Sequence, residues 1–188
     1  VTGSARNNLV FLPNSLMPGG TYAVTLTATA NGAMGQATLT IKMNTAPYGG
    51  SLAMSYPGYP APATALDSAI SLKAQQWFDD ADDMPLTYEF SYLEEGSAEA
   101  TPNPLGSKST SKSLTWNGPS AANYTVGVEV ADRFNTSAFV SLLLVVNPIV
   151  LDDAKTEEVL EKMSSFADEG DTGAGVQVVD GTGRTLNS

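Results

Sequence analysis

One pattern, met twice, limits what this chain can fold into. Gly20, Thr21 and Tyr22 lead into Val24, Leu26 and Ala28, and a polar turn follows at Asn31 to Gly35. The run then resumes with Ala37, Leu39, Ile41 and Met43 and stops at Asn44. Further on, Asn123 and Tyr124 lead into Val126, Val128 and Val130, with a turn at Asp132 to Thr136 and a second run from Phe139 to Val146, closed by Asn147 and Pro148. Side chains alternate across a strand, so a period of two on both sides of a polar turn predicts a β-hairpin with one apolar face. Each hairpin is headed by a tyrosine beside a turn. In immunoglobulin-like and fibronectin type III sandwiches a tyrosine at that place hydrogen-bonds back to the turn and locks the corner. Two such corners, one domain length apart, predict two sandwiches in series.

The remaining organisation follows from taking each hairpin as the last two strands of its domain. Residues 1–44 are then the C-terminal part of a first β-sandwich whose earlier strands lie elsewhere. Residues 45–50, Thr-Ala-Pro-Tyr-Gly-Gly, form a linker. Residues 51–148 form a complete sandwich, with strands expected at Ser51–Tyr56, Ile70–Ala74, Leu86–Tyr92, Ser113–Trp116, Tyr124–Ala131 and Ala138–Val146. In 149–188, Asp152 and Asp153 can cap an amphipathic helix with apolar positions Val159, Leu160, Met163, Phe166 and Ala167, ended by Gly170 and followed by a Gly-rich tail. A helix with one apolar stripe and no partner leads towards a following domain, and a chain that begins within a strand-and-turn region reads as a piece of something longer. The fold class expected is mainly β, with tandem Ig/fibronectin-III-like sandwiches and a short C-terminal helix.

Composition then removes whole classes of function. The net charge is −11, from 9 basic and 20 acidic residues. No basic face exists to neutralise phosphates, so nucleic acid is excluded as a partner, and an anionic lipid surface would repel the chain. There is no cysteine and no histidine. That removes thiol chemistry, disulfides, zinc–thiolate sites and the commonest general base. The Ser residues have no His, and Lys108 and Lys112 offer no evident Ser-Lys dyad, so the chain is read as not an enzyme. Hydrophobic residues at 42% suffice for a core. No run approaches the ~20 apolar residues of a membrane span.

Four places have chemistry to weigh. Asp79, Asp80, Asp82 and Asp83 form the densest carboxylate cluster, and calcium takes six to eight oxygens from loops of this kind. The competing reading is a solvated turn with Asx bonds, since the glycine and terminal glutamate of an EF-hand are missing. Calcium is accordingly the one cofactor in view; otherwise none is expected. Trp77 reads either as a ligand-stacking ring or as the tryptophan that fills the space between sheets, the latter preferred, and Trp116 as half-buried. Asn135-Thr136-Ser137 and Asn123-Tyr124-Thr125 are N-glycosylation sequons, with Asn135 at a hairpin tip and Asn123 at the start of a strand. Gly96 to Lys112 reads as an exposed loop or an O-glycosylated stalk.

The order of these segments also resembles a known family. Leu16, Pro18, Gly19, Tyr22, Asn44, Pro47, Gly49 and Gly50, followed by Trp77, Asp79, Asp80, Asp82, Asp83, Pro85, Leu86, Tyr88 and Phe90, are similar to the receptor-for-egg-jelly (REJ) module of polycystin-1-like proteins. The similarity runs from about Leu9 to Ser188. Ser51 and Leu52 stand where animal members usually carry a cysteine, which marks a divergent member. The resemblance implies fibronectin-III-like sandwiches in the ectodomain of a large surface or ciliary-membrane protein. Its partners would be other extracellular domains, surface proteins or glycans, with a membrane reached only through a larger parent chain. The expected function is structural or adhesive; a calcium-dependent sensor or ligand-binding domain, or an accessory module of a secreted enzyme, are the alternatives.

Overall fold

A computed structural model describes residues 8–66, 68–98, 101–117, 119–149 and 161. The helix expected after Asp152 and the Gly-rich tail lie outside these residues, apart from Glu161, which is helical and exposed. The chain divides into two units, Val1–Ala46 and Pro47–Ser188.

In the first unit, β1 (Thr21–Ala30) pairs with β2 (Ala33–Lys42) along their whole length, with Val24 opposite Leu39 and Tyr22 opposite Ile41. The turn is tighter than the five-residue stretch from Asn31 to Gly35 expected from the sequence. Asn31 and Gly32 alone make it, at φ 49° and 81°. Two left-handed residues match the twist of the flanking strands, which is why an Asn-Gly pair lets the ladder run to its end. One face carries hydroxyls and an amide, with Thr25 Oγ1 3.0 Å from Thr38 Oγ1 and Gln36 Nε2 donating to Thr27 Oγ1. The other face carries Tyr22, Val24, Leu26, Leu39 and Ile41. Before the hairpin, the Met17 N–H donates to the Tyr22 hydroxyl at 2.7 Å, tying the tyrosine back to the preceding turn.

The second unit is a two-sheet sandwich. Its strands are β3 (Ser51–Ser55), β4 (Ala63–Thr64), β5 (Ala69–Gln75), β6 (Thr87–Glu94), β7 (Asn103–Pro104), β8 (Ser113–Asn117), β9 (Ala122–Ala131) and β10 (Ser137–Asn147). One sheet has the order β3-β5-β8, the other β4-β10-β9-β6-β7, antiparallel except where β4 lies parallel to β10. Placing β3, β5 and β8 opposite β6, β9 and β10 is the division of strands in an Ig or fibronectin-III-like sandwich. Each strand expected from periodicity is present. The two-residue strands β4 and β7 are additions, too short to show a period.

Alternation decides the core. Ile70, Leu72 and Ala74 of β5 face Tyr124, Val126, Val128 and Val130 of β9, all buried, together with Leu52, Tyr88, Phe90, Leu144 and Val146. Residues between them on the same strands, such as Ser71 and Lys73, are exposed. Transfer of a Val, Leu or Ile side chain from water contributes about 1.5–3 kcal/mol each, so this layer dominates the stability of the unit. At its centre Trp116 stacks on Tyr92 at 4.8 Å and meets Tyr124 edge-on at 5.1 Å. The tryptophan roles are therefore exchanged relative to expectation. Trp116, expected half-buried, is 5% exposed, while Trp77, expected to fill the space between sheets, is only partly buried.

Tyr124 makes the corner. Its hydroxyl donates to the Ser120 carbonyl at 3.0 Å and lies 2.6 Å from Ser120 Oγ, all within the core. Asp132 closes the other end of β9. Its Oδ1 accepts the N–H groups of Phe134 and Thr136, at 2.8 and 2.9 Å, satisfying the turn to β10.

Candidate functional site

The acidic loop is held at both ends. Upstream, Tyr48 and Phe78 exchange two backbone hydrogen bonds, each 3.0 Å long. Between these partners Gly50 lies under the indole of Trp77, and a Cβ on Gly50 would fall 2.0 Å from a ring carbon. Only glycine fits there, so the Gly-Gly junction and Trp77, far apart in sequence, form one packing unit. Downstream, Asp80 to Asp83 make one 3-10 turn (Ala81–Asp83), with the Asp83 N–H donating to the Asp80 carbonyl at 2.9 Å. The Arg133 N–H, from the turn between β9 and β10, donates to the Asp83 carbonyl at 3.1 Å.

The four carboxylates fall in different surroundings. Asp82 is exposed, Asp79 and Asp80 are half-buried and Asp83 is buried. Asp79 Oδ1 accepts the Asp80 N–H at 2.9 Å, while Asp79 Oδ2 is buried without a hydrogen-bond partner. That Asp79–Asp80 bond reaches only the next residue, not two residues on as in an Asx turn, and the loop is more enclosed than a solvated one. Among the described residues no three or more Asp, Glu, His or Cys side chains converge as a metal-holding group.

The sequons occupy unlike places. Asn135 is exposed at the tip of the β9–β10 turn with φ 63°, and its Oδ1 accepts from Lys108 Nζ at 3.3 Å. Asn123 is exposed within β9, opposite Val145, and its Nδ2 donates to Glu95 Oε2 at 3.1 Å. Gly96 to Lys112 contains β7 and is otherwise turn and bend, mostly exposed.

Sequence reading did not foresee a cleft of about 410 Å³ on the outer face of the larger sheet, lined by Glu89, Ser91, Pro102, Pro104, Glu129 and Phe139. Glu89 and Glu129 stand directly opposite each other on β6 and β9. Like charges so placed weaken a strand pair, and the spacing of two glutamates on different strands cannot be read before the register is known.

Burial pushes the Tyr88 phenol up from its ordinary 10.0. Tyr56 is raised too, by burial and then by the neighbouring Tyr59, while its hydroxyl donates to the Ala61 carbonyl at 2.9 Å.

Comparison with known proteins adds three facts. A family model described as the REJ domain matches residues 1–180. No curated protein matches. Among solved structures, fibronectin(III)-like modules of CbhA from Clostridium thermocellum match at 15% identity and a TM-score of 0.40, over 71% of this chain and 65% of that one. The chain therefore spans slightly less than two thirds of the length of that structure.

Proposed function

The chain belongs to the REJ domain family, and from that membership we propose that it is a non-catalytic structural and adhesion segment in the extracellular part of a large polycystin-1-like surface protein. The observation that carries this reading is the use to which the polar groups of the second unit are put. The Tyr124 hydroxyl, Ser120 and the Asp132 carboxylate, all buried, are spent on corners and turns. Such groups stiffen a module that must hold its shape in series with others. With neither histidine nor cysteine in the sequence, the usual general base and thiol nucleophile are missing as well. Its partners would be neighbouring extracellular domains, surface proteins or glycans.

Passage through a secretory pathway is the testable part. Peptide mapping of the native protein, before and after glycosidase treatment, should find Asn135 modified ahead of Asn123, because a turn tip is open to a transferase and a paired strand is not. Both sequons unmodified would remove the secretory reading.

A second reading, calcium at Asp79–Asp83, is favoured by the buried and unpartnered Asp79 Oδ2. A ligand that binds only the native state must raise its melting temperature. A scan with millimolar calcium that shows no shift sinks this second reading and leaves the first intact.

A further inference from the structure

A row of three residues crosses the outer face of the larger sheet. Glu89 of β6 stands opposite Glu129 of β9, and Glu129 stands opposite Phe139 of β10. Both glutamates are half-buried, so they form part of the wall of the cleft. Gly127 determines how the ring is held. A Cβ there would fall 2.2 Å from Phe139 Cζ, so the tip of the ring reaches over bare backbone and the ring lies along the sheet. Phe139 is still 53% exposed, which leaves ring surface open to the cleft. Pro102 and Pro104 close the β7 side with stiff apolar rings. Among the described residues, none of Lys73, Lys108, Lys112 and Arg133 lines the cleft, and the outward positions of β6, β9 and β10 hold no Lys or Arg. Within the described residues, then, two like charges face each other across one strand pair with no opposite charge between them.

We propose that this cleft is a docking site for an arginine side chain of a basic protein partner. Each wall matches one part of that group. A guanidinium carries five N–H donors in a planar fork, enough to bond two carboxylates at once, and its flat face stacks on an aromatic ring. Glu89 and Glu129 supply the acceptors, Phe139 the ring, and Pro102 and Pro104 an apolar surface for the methylene stem. The volume of about 410 Å³ suits a long side chain and is far more than a single ion fills. Calcium also takes six to eight oxygens, and the side chains of a phenylalanine and two prolines supply none. The net charge of −11 draws a basic partner to the chain and repels an acidic one. A bound guanidinium cancels the repulsion between the two glutamates, so the pair that weakens the free sheet is what the partner relieves. The inference deepens the adhesive reading above and rests on it; its failure leaves that reading, tested by the sequon mapping, in place.

The probe is a capped Gly-Arg-Gly peptide, with Lys or Gln in place of Arg as controls, titrated into this chain while its amide resonances are followed. The expected result is saturable shifts confined to the amides around Glu89, Glu129 and Phe139, half-complete at about a millimolar. The lysine peptide should bind roughly threefold more weakly, since it lacks the fork, and the glutamine peptide should leave these amides unmoved. Glu129→Gln and Phe139→Leu should each weaken the arginine peptide roughly threefold or more. Glu129→Gln should also hold or raise the melting temperature, because it removes a like-charge pair, so its loss of binding is not a loss of fold. Equal shifts with the glutamine peptide, or shifts that survive Glu129→Gln undiminished, would overturn the proposal. So would an absence of saturation at tens of millimolar. Calcium chloride moving the same amides at a lower concentration than the arginine peptide would overturn it as well, and would make the cleft a metal site.

Discussion

The first and last hairpins of this molecule are built from one plan and end in opposite conditions. In β1–β2 and in β9–β10 a turn-bound tyrosine starts the strand, aliphatic residues follow at every second position, and the two strands pair antiparallel, around Asn31 and Gly32 in one and around the longer turn from Asp132 to Thr136 in the other. In one, Leu26 and Leu39 are exposed and Val24 and Ile41 half-buried; in the other, Tyr124, Val126, Val128 and Leu144 are buried in a core, although Leu142 is exposed. The difference teaches that turn chemistry and alternation specify a hairpin locally, whereas its energetic weight comes from the layer laid across it. A hairpin by itself is marginal in water, so most of what holds β9–β10 is β3-β5-β8.

Substitutions sharpen that contrast. The largest effect is expected from a carboxylate placed on the two equivalent faces. Val128→Asp buries an unpaired charge and should cost several kcal/mol, enough to unfold a unit whose whole stability is about 5–15 kcal/mol. Leu26→Asp in this chain should change the unfolding of the second unit by less than about 0.5 kcal/mol. Urea unfolding followed by tryptophan fluorescence measures both, since Trp77 and Trp116 lie in the second unit. A comparable cost for both would break the comparison.

Next in size is the tryptophan pair. Trp116→Ala empties a site enclosed by Tyr92 and Tyr124 and should cost about 3–5 kcal/mol. Trp77→Ala, at a partly open position, should cost less, and the denaturation midpoints of the two variants rank them. The corner tyrosines come third. Tyr124→Phe leaves the buried Ser120 groups short of a partner and should cost about 1–3 kcal/mol. Tyr22→Phe frees an exposed N–H that water can satisfy, and should cost about 0.5–1.5 kcal/mol at most, read as faster exchange of the Met17 amide.

The smallest expected effect is alkaline. Burial raises the Tyr88 phenol above 10.0, so on a rising pH the unfolded chain loses this proton before the folded one does. The unfolded state then binds fewer protons, and stability falls as pH rises past about 10, with no change below. Tyr88→Phe should make that alkaline limb shallower in melting temperatures measured from pH 8 to 11, the remainder coming from Tyr56, which is raised as well. An unchanged limb would place its cause elsewhere.

Much of this fold was legible because period-two patterning, an Asn-Gly turn and tyrosines at strand starts are local signals. The strands of the second unit and both hairpins follow from them. The Asn31–Gly32 turn came out shorter than expected because Gly35 reads as a turn residue until the ladder shows it paired with Ala28. The tryptophans were exchanged for a similar reason. Leu114 and Trp116 alternate with Thr115 inside a hydroxyl-rich strand that hides its inward face, while Trp77 owes its place to Gly50, a contact no spacing reveals. Strands β4 and β7 have two residues each, and the Glu89–Glu129 cleft exists only once β6 and β9 are in register. The acidic loop was visible as a cluster, but the unequal burial of its four carboxylates depends on Tyr48, Trp77 and the β9–β10 turn packing around it.

Native-state hydrogen exchange on this chain, resolved by amide, tests the contrast between the hairpins most directly. The account predicts that amides of β9 and its neighbours β6 and β10 exchange only through global unfolding of the second unit, with one shared free energy. Those of β1 and β2, despite the same alternation, should exchange through local opening at a much lower free energy. Equal protection of the two hairpins would contradict it, since the first would then be as well covered as the second.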